Sequence, residues 1–218
     1  MKYSTHSTYI NEEGTEVPSA TTILKILNKP FLTKWANFMG FKRRKVEDIL
    51  QESSEIGTAV HEMIECFLMK KPYIMKASKY YTKSLLVNYL DHFISWKNGH
   101  VINPEFMEKK FESKRYGGTV DFYGEVDGKK TILDFKTSKR FYSSMFLQLA
   151  AYVQMLEEKG YVVEQVAIVR VNADKCETRF MDRKDLDRYM SVFNTLVDLF
   201  HQFFALSEED GWGDILDK

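Results

Sequence analysis

The feature that most constrains this chain is Asp127-Gly128, set between two short apolar runs at residues 119–126 and 129–137. An Asp-Gly pair in that setting signals a two-residue hairpin turn, because both residues tolerate the positive φ such a turn demands. The turn fixes the register, so Val126 faces Lys129 and facing residue numbers sum to 255. Asp121 and Asp134 then stand opposite one another, with side chains on one face of the sheet. Lys136, two residues further on, shares that face. Val120, Phe122, Leu133 and Phe135 alternate with them and are expected on the opposite, core side. Gly117-Gly118, just ahead, allows a bulge or a close backbone approach.

Two carboxylates directly opposed on an antiparallel pair repel each other. Either both face solvent with Lys136 as a simple counter-charge, or a divalent cation bridges them; the hairpin geometry leaves both readings open. Oxygen ligands of this kind suit Mg2+ or Mn2+. Such ions clamp a phosphodiester and lower the pKa of an attacking water. Two aspartates and a lysine on one hairpin therefore suggest phosphodiester hydrolysis.

Around the hairpin the hydrophobic period changes twice. Residues 7–10 and 15–18 flank the turn Asn11-Glu12-Glu13-Gly14 and predict a small hairpin. Ser19 is placed to cap a short helix through Asn28, and a second helix is expected from Leu32 to about Gln51. Residues 54–70 and 77–97 read as two more helices. Residues 105–113 alternate weakly, as a strand does. Residues 141–159 return to helical period, with Gly160 as the stop. Strands are expected at 164–171 and 175–181, and a last helix at 183–206. This order predicts an α/β fold, a central mixed β-sheet flanked by helices, with an N-terminal helical elaboration that walls a channel. No repeat or linker interrupts the 218 residues, so one domain is expected: hairpin and helical elaboration at 1–53, core at 54–206, acidic tail at 207–218.

Composition excludes several classes. Lysine plus arginine and aspartate plus glutamate both number 31, so a uniformly basic polyanion binder is excluded while local basic patches are not. The two cysteines, Cys66 and Cys176, cannot form a disulfide framework or a four-thiolate metal site, and they suit a reducing cytoplasm. No apolar run approaches the roughly 18 residues that suggest a membrane span. A cytoplasmic protein without membrane contact is expected.

The helices add candidates. His61 and Glu65 are four apart and share a helix face. The string from His61 to Glu65 lacks the second histidine of the zinc-protease pattern His-Glu-x-x-His, which argues against that chemistry. Gln148 and Tyr152 share a face of the helix after the hairpin. Short basic runs, among them residues 42–45, Lys109-Lys110 and Lys139-Arg140, lie near Trp35, Tyr116, Phe141 and Tyr142. Cations beside rings suit single-stranded nucleic acid.

In combination these strings resemble the PD-(D/E)XK nuclease superfamily in its RecB-like exonuclease branch. Four strings carry the resemblance in order: Gly57-Thr58-Ala59-Val60-His61, Gly117-Gly118-Thr119-Val120-Asp121, Ile132-Leu133-Asp134-Phe135-Lys136-Thr137-Ser138 and Gln148-Leu149-Ala150-Ala151-Tyr152. The segment Pro18-Ser19-Ala20-Thr21-Thr22-Ile23-Leu24 with Trp35 is similar, more loosely, to phage-encoded and mitochondrial genome-maintenance exonucleases. The resemblance implies a restriction-endonuclease-like core and metal-dependent DNA hydrolysis, with exonuclease action on single-stranded ends as the preferred form. It implies that His61, Asp121, Asp134 and the Phe135 carbonyl hold Mg2+ or Mn2+ and that Lys136 orients or activates the attacking water. It implies DNA-positioning roles for Gln148 and Tyr152, with Thr137, Ser138 and Lys139 also at the DNA. Glu65 and Glu108 are candidates for outer support or a second metal. The second acid is aspartate where many members carry glutamate, and two cysteines exclude the iron–sulfur subgroup. With no helicase segment, a stand-alone nuclease or a subunit with a helicase or recombination partner is expected. The rivals are a structure-specific endonuclease or resolvase, and a non-catalytic nucleic-acid-binding module of the same fold.

Overall fold

The computed structural model describes residues 9–27 and 30–209. The first residues of the predicted N-terminal hairpin, Asn28 at the end of the predicted first helix, and most of the predicted acidic tail lie outside them.

A five-stranded mixed sheet forms the centre, in the order β3-β4-β5-β6-β7. Its strands are β3 (Ile102–Glu112), β4 (Gly117–Val126), β5 (Lys129–Lys136), β6 (Gln165–Val171) and β7 (Cys176–Asp182). β5 and β6 pair in parallel, and the other neighbours pair antiparallel. A parallel pair needs a long crossover, and α5 (Ser143–Glu158) supplies it. Phe122 faces Leu133 and Val126 faces Lys129, as the Asp-Gly turn requires.

Helices cover both faces of the sheet, so both carry apolar side chains. On one face, α5 and the C-terminal α6 (Asp187–Glu209) enclose Tyr123, Ile132, Val166 and Ile168, with Ala20 and Ile23 of α1 (Ala20–Ile23). On the other, α3 (Val46–Leu68) and α4 (Lys83–Lys97) pack on Phe122, Leu133, Phe135, Ala167 and Val169. Val120 departs from the expected alternation, since it packs with α5 while Phe122 packs with α3 and α4. The faces change hands at Asp121, between them.

The N-terminal segment is tied to the sheet. Strands β1 (Tyr9–Ile10) and β2 (Glu16–Val17) form a small hairpin, and Ser19 bridges in parallel to Gly117. Gly117 carries the Tyr9 ring directly over its backbone, where a Cβ would collide. Ser19 accepts from the Thr22 amide and caps α1.

Two helix boundaries differ from expectation. The helix expected to run from Leu32 to Gln51 is α2 (Pro30–Phe41), and α3 begins at Val46, so the predicted break near residue 52 falls instead at 42–45. Arg43 adopts φ 54°, and the Arg43 and Arg44 amides bond back to the Gly40 and Met39 carbonyls. This is a Schellman end built on arginine rather than glycine, with no sequence signal of the usual kind. α4 starts at Lys83 rather than Ala77, because Thr82 caps it by accepting from the Leu85 amide. Among the described residues no helix is long and apolar enough to cross a membrane.

Candidate active site

β4 and β5 are paired from the turn as far as Phe122 and Leu133. Beyond that point side chains replace the ladder. The Phe135 amide donates to Asp121 Oδ2 at 2.8 Å. The Phe135 carbonyl lies 2.8 Å from Nε2 of His61, which projects from the middle of α3. Burial of the Phe135 ring beneath α3 therefore fixes a backbone amide and a backbone carbonyl against two site side chains.

The other ring nitrogen of His61, Nδ1, lies 3.5 Å from Glu108 Oε1 and 3.6 Å from Asp121 Oδ2. Ligand atoms of His61, Glu108 and Asp121 all fall within 4.8 Å of one another. Glu108 reaches this cluster from β3 with φ 47°, a left-handed conformation in mid-strand. Residues held in such conformations cost free energy and persist where the surrounding structure demands them. Register resumes on either side of Glu108, at Met107 with Phe122 and Lys109 with Val120.

Asp134 is fully buried next to this cluster. Lys136 Nζ sits 2.8 Å from its Oδ1 and 2.7 Å from its Oδ2. Only the first contact has hydrogen-bond geometry, which leaves Oδ2 a buried oxygen without a hydrogen bond.

Burial dominates the electrostatics. It raises the pKa of Asp121 above the ordinary carboxylate value, and His61 and Lys136 only partly offset it. Burial raises Asp134 as well; Lys136 opposes this and the nearby Asp121 adds to it. For His61 burial disfavours charge, but the Asp121 carboxylate and the Glu108 contact outweigh it and hold the ring up to about 9. Burial also works against the Lys136 ammonium, and Asp134 and Asp121 outweigh it, so its pKa lies above the ordinary lysine value. Without a bound cation, His61 is then a charged imidazolium wedged among acids. Three carboxylates share two cationic side chains. One imidazole nitrogen, several carboxylate oxygens and an unbonded buried oxygen form a donor set that fits a divalent cation of the magnesium or manganese type.

Glu65 lines a shallow recess of about 390 Å3 with Gly57, Thr58, His61, Glu62 and Glu108, but its carboxylate lies 3.4 Å from Lys71. A Cβ on Gly57 would make only ordinary contact with Thr137. Gln148 Nε2 donates to the Tyr152 hydroxyl at 2.6 Å, beneath the sheet end. A Cβ on Gly118 would come within 2.5 Å of the Tyr152 ring, so that glycine is what lets the ring lie on β4. Burial, then Asp134 and Asp121, push the Tyr152 phenol well above its ordinary pKa. Ser138 and Lys139 are held by their carbonyls, which accept from Arg170 at 3.3 and 2.9 Å.

Arg170 is not among the sequence candidates. It is buried in β6, ion-paired to Glu177, and lies over the Phe141 ring at 5.2 Å. A lone charge in an otherwise apolar strand is the signal that could have found it.

No protein-family profile matches the chain, and no curated protein matches its sequence. Several solved structures give partial likeness, among them these three. A phage-related exonuclease from Haemophilus somnus 129PT is 12% identical, with 86% of this chain and 96% of that one covered and a TM-score of 0.34. LHK-Exo, solved in complex with dAMP, is 10% identical, with 71% and 84% covered and a TM-score of 0.32. The protein SSO0001 is 14% identical, with a TM-score of 0.28; the match covers 50% of this chain and only 57% of that protein's length. Likeness at this level carries no argument about activity.

Proposed function

We propose that the chain is a metal-dependent deoxyribonuclease of the PD-(D/E)XK type, in the RecB-like exonuclease branch. The observation that carries this reading is the convergence of His61, Glu108 and Asp121 within 4.8 Å, beside the buried Asp134–Lys136 pair. Glu108 and the buried Asp121 and Asp134 outnumber His61 and Lys136 by one charge, and that excess beside two buried carboxylates is costly unless a cation shares it. His61, Glu108, Asp121 and Asp134 would hold Mg2+ or Mn2+, and the ion would supply Lewis-acid stabilisation of the phosphoryl oxygens.

The reaction is in-line hydrolysis. A water oxygen attacks phosphorus and gives up a proton to solvent, the bond to the leaving sugar oxygen breaks, and that oxygen takes up a proton from solvent. Lys136, held against Asp134, stabilises developing negative charge and orients or activates the attacking water. The Phe135 carbonyl accepts from His61 Nε2, which leaves Nδ1 directed at the acids, and its second lone pair would be open to the ion. Gln148 and Tyr152 position the DNA strand, and the 137–139 segment, pinned by Arg170, borders it. Within this reading the preferred substrate is a single-stranded DNA end.

The test is a time course on linear single-stranded DNA labelled at either end, with Mn2+, for wild type and Asp134→Asn. Mononucleotide or ladder products from wild type alone are expected, and the label lost first gives the polarity. Cleavage of circular single-stranded DNA would point to an endonuclease. DNA bound but never cut, with or without Mn2+, would make the protein a binding module.

A further inference from the structure

Lys136 has a second neighbourhood, away from the acidic cluster. A groove of about 600 Å3 runs from Lys136 and Gln148 to Leu24, Lys25, Leu27 and Tyr142. That volume lies within the range of about 300–1,000 Å3 typical of sites for one small organic ligand. Its far side is the short turn after α1, a rigid platform because Ala20 and Ile23 beneath it are fully buried in the core. Lys25 stands exposed on that platform, and among the described residues no acid pairs with it. Leu24, Leu27 and Tyr142 give the groove an apolar wall.

The opposite mouth differs in charge. The recess beyond His61 is lined by Glu62, Glu65 and Glu108, and each of these acids already has a cationic partner, in Lys76, Lys71 and His61. Among the described residues the lysine side is the one that offers an anionic strand a cation without an acidic partner, Lys25.

We propose that this groove is the seat of one nucleotide of the strand being cut, with its phosphate between Lys25 and Lys136 and its base against Leu24, Leu27 and Tyr142. The proposal rests on the nuclease reading for its substrate class and assigns Lys25 as a binding residue. It also gives the strand one direction of approach, along α1 and α5 rather than across α3.

The test uses the full chain. Thymidine 5′-monophosphate is titrated in the presence of a chelator against wild type, Lys25→Glu and Lys25→Arg, with inorganic phosphate as a second probe. Lys25→Glu should weaken nucleotide binding about tenfold, and Lys25→Arg should restore it. On linear single-stranded DNA, Lys25→Glu should raise KM about tenfold with kcat within twofold of wild type. The salt dependence of oligonucleotide binding should flatten by about 0.7 in log–log slope, because one phosphate is no longer neutralised. If Lys25→Glu fails to fold, Lys25→Gln gives the same readouts. Unchanged nucleotide binding and unchanged KM in the charge variants would overturn the subsite, as would phosphate binding as tightly as the nucleotide. A wild type that cuts no DNA but binds the nucleotide in a Lys25-dependent way would overturn the nuclease reading and leave the subsite standing.

Discussion

The β4–β5 hairpin carries three aspartates, and its two ends treat them in opposite ways. At the turn, Asp127 and Gly128 have φ 51° and 81°, the all-positive pattern of a tight hairpin. Asp127 is exposed there, accepts from the Val101 amide at 2.8 Å, and meets His100 at 2.6 Å. The His100 and Val101 contacts hold its carboxyl below the ordinary value. At the other end the strands part, burial raises Asp121 and Asp134, and side chains stand in for the backbone ladder. The paired end supplies register. The parted end frees the Phe135 amide and carbonyl to orient Asp121 and His61.

Five substitutions test this contrast. Lys136→Ala should act most strongly, because it removes the one ammonium at the parted end: turnover of DNA should fall about 10²–10³-fold, read as kcat. A change below tenfold would remove Lys136 from the chemistry. Gly124→Ala strikes the paired half. A Cβ there would collide with the Asn103 carbonyl oxygen, and a backbone atom cannot rotate away. Urea unfolding should show a loss of about 3 kcal/mol or more, against less than about 0.5 kcal/mol for Gly57→Ala beyond its helix-propensity change.

The two ends should also respond to pH with opposite sign. His61 is raised to about 9, so in chelator its stabilisation is complete below the ordinary histidine value near 6.5 and is lost as pH rises through about 9. The loss should be on the order of 2–3 kcal/mol, and His61→Gln should flatten that alkaline limb. Asp127 is lowered, so its contribution is complete above the ordinary aspartate value and is lost as pH falls through the folded one. Being about half exposed, it is screened by solvent. Asp127→Asn, which keeps the tolerance of positive φ, should cost less than about 1 kcal/mol and should remove part of the acid limb only.

Legibility followed the same division. The hairpin register, Lys136 two residues beyond Asp134, and the Gly160 helix stop are local, and the chain shows them as the sequence reads. The alternation failed at Val120, beside Asp121, where the site turns a carboxylate towards α3. Helix boundaries failed where the signal was unconventional: an arginine took the left-handed position usually given to glycine. Glu108 could be marked as an acid ahead of the Asp121 strand, but nothing local announces its left-handed backbone or its approach to His61.

Residue order alone settles the β4–β5 pairing and which carboxylates share that hairpin, because a two-residue turn and a period of two are properties of adjacent residues. Only the tertiary structure decided which acids meet the histidine, that Arg170 pins the loop after Lys136, and that a groove opens beside Lys136 on the side of Lys25. Those contacts join residues from separate elements, and their positions are set by how α3 and α5 bury their apolar faces on opposite sides of one sheet.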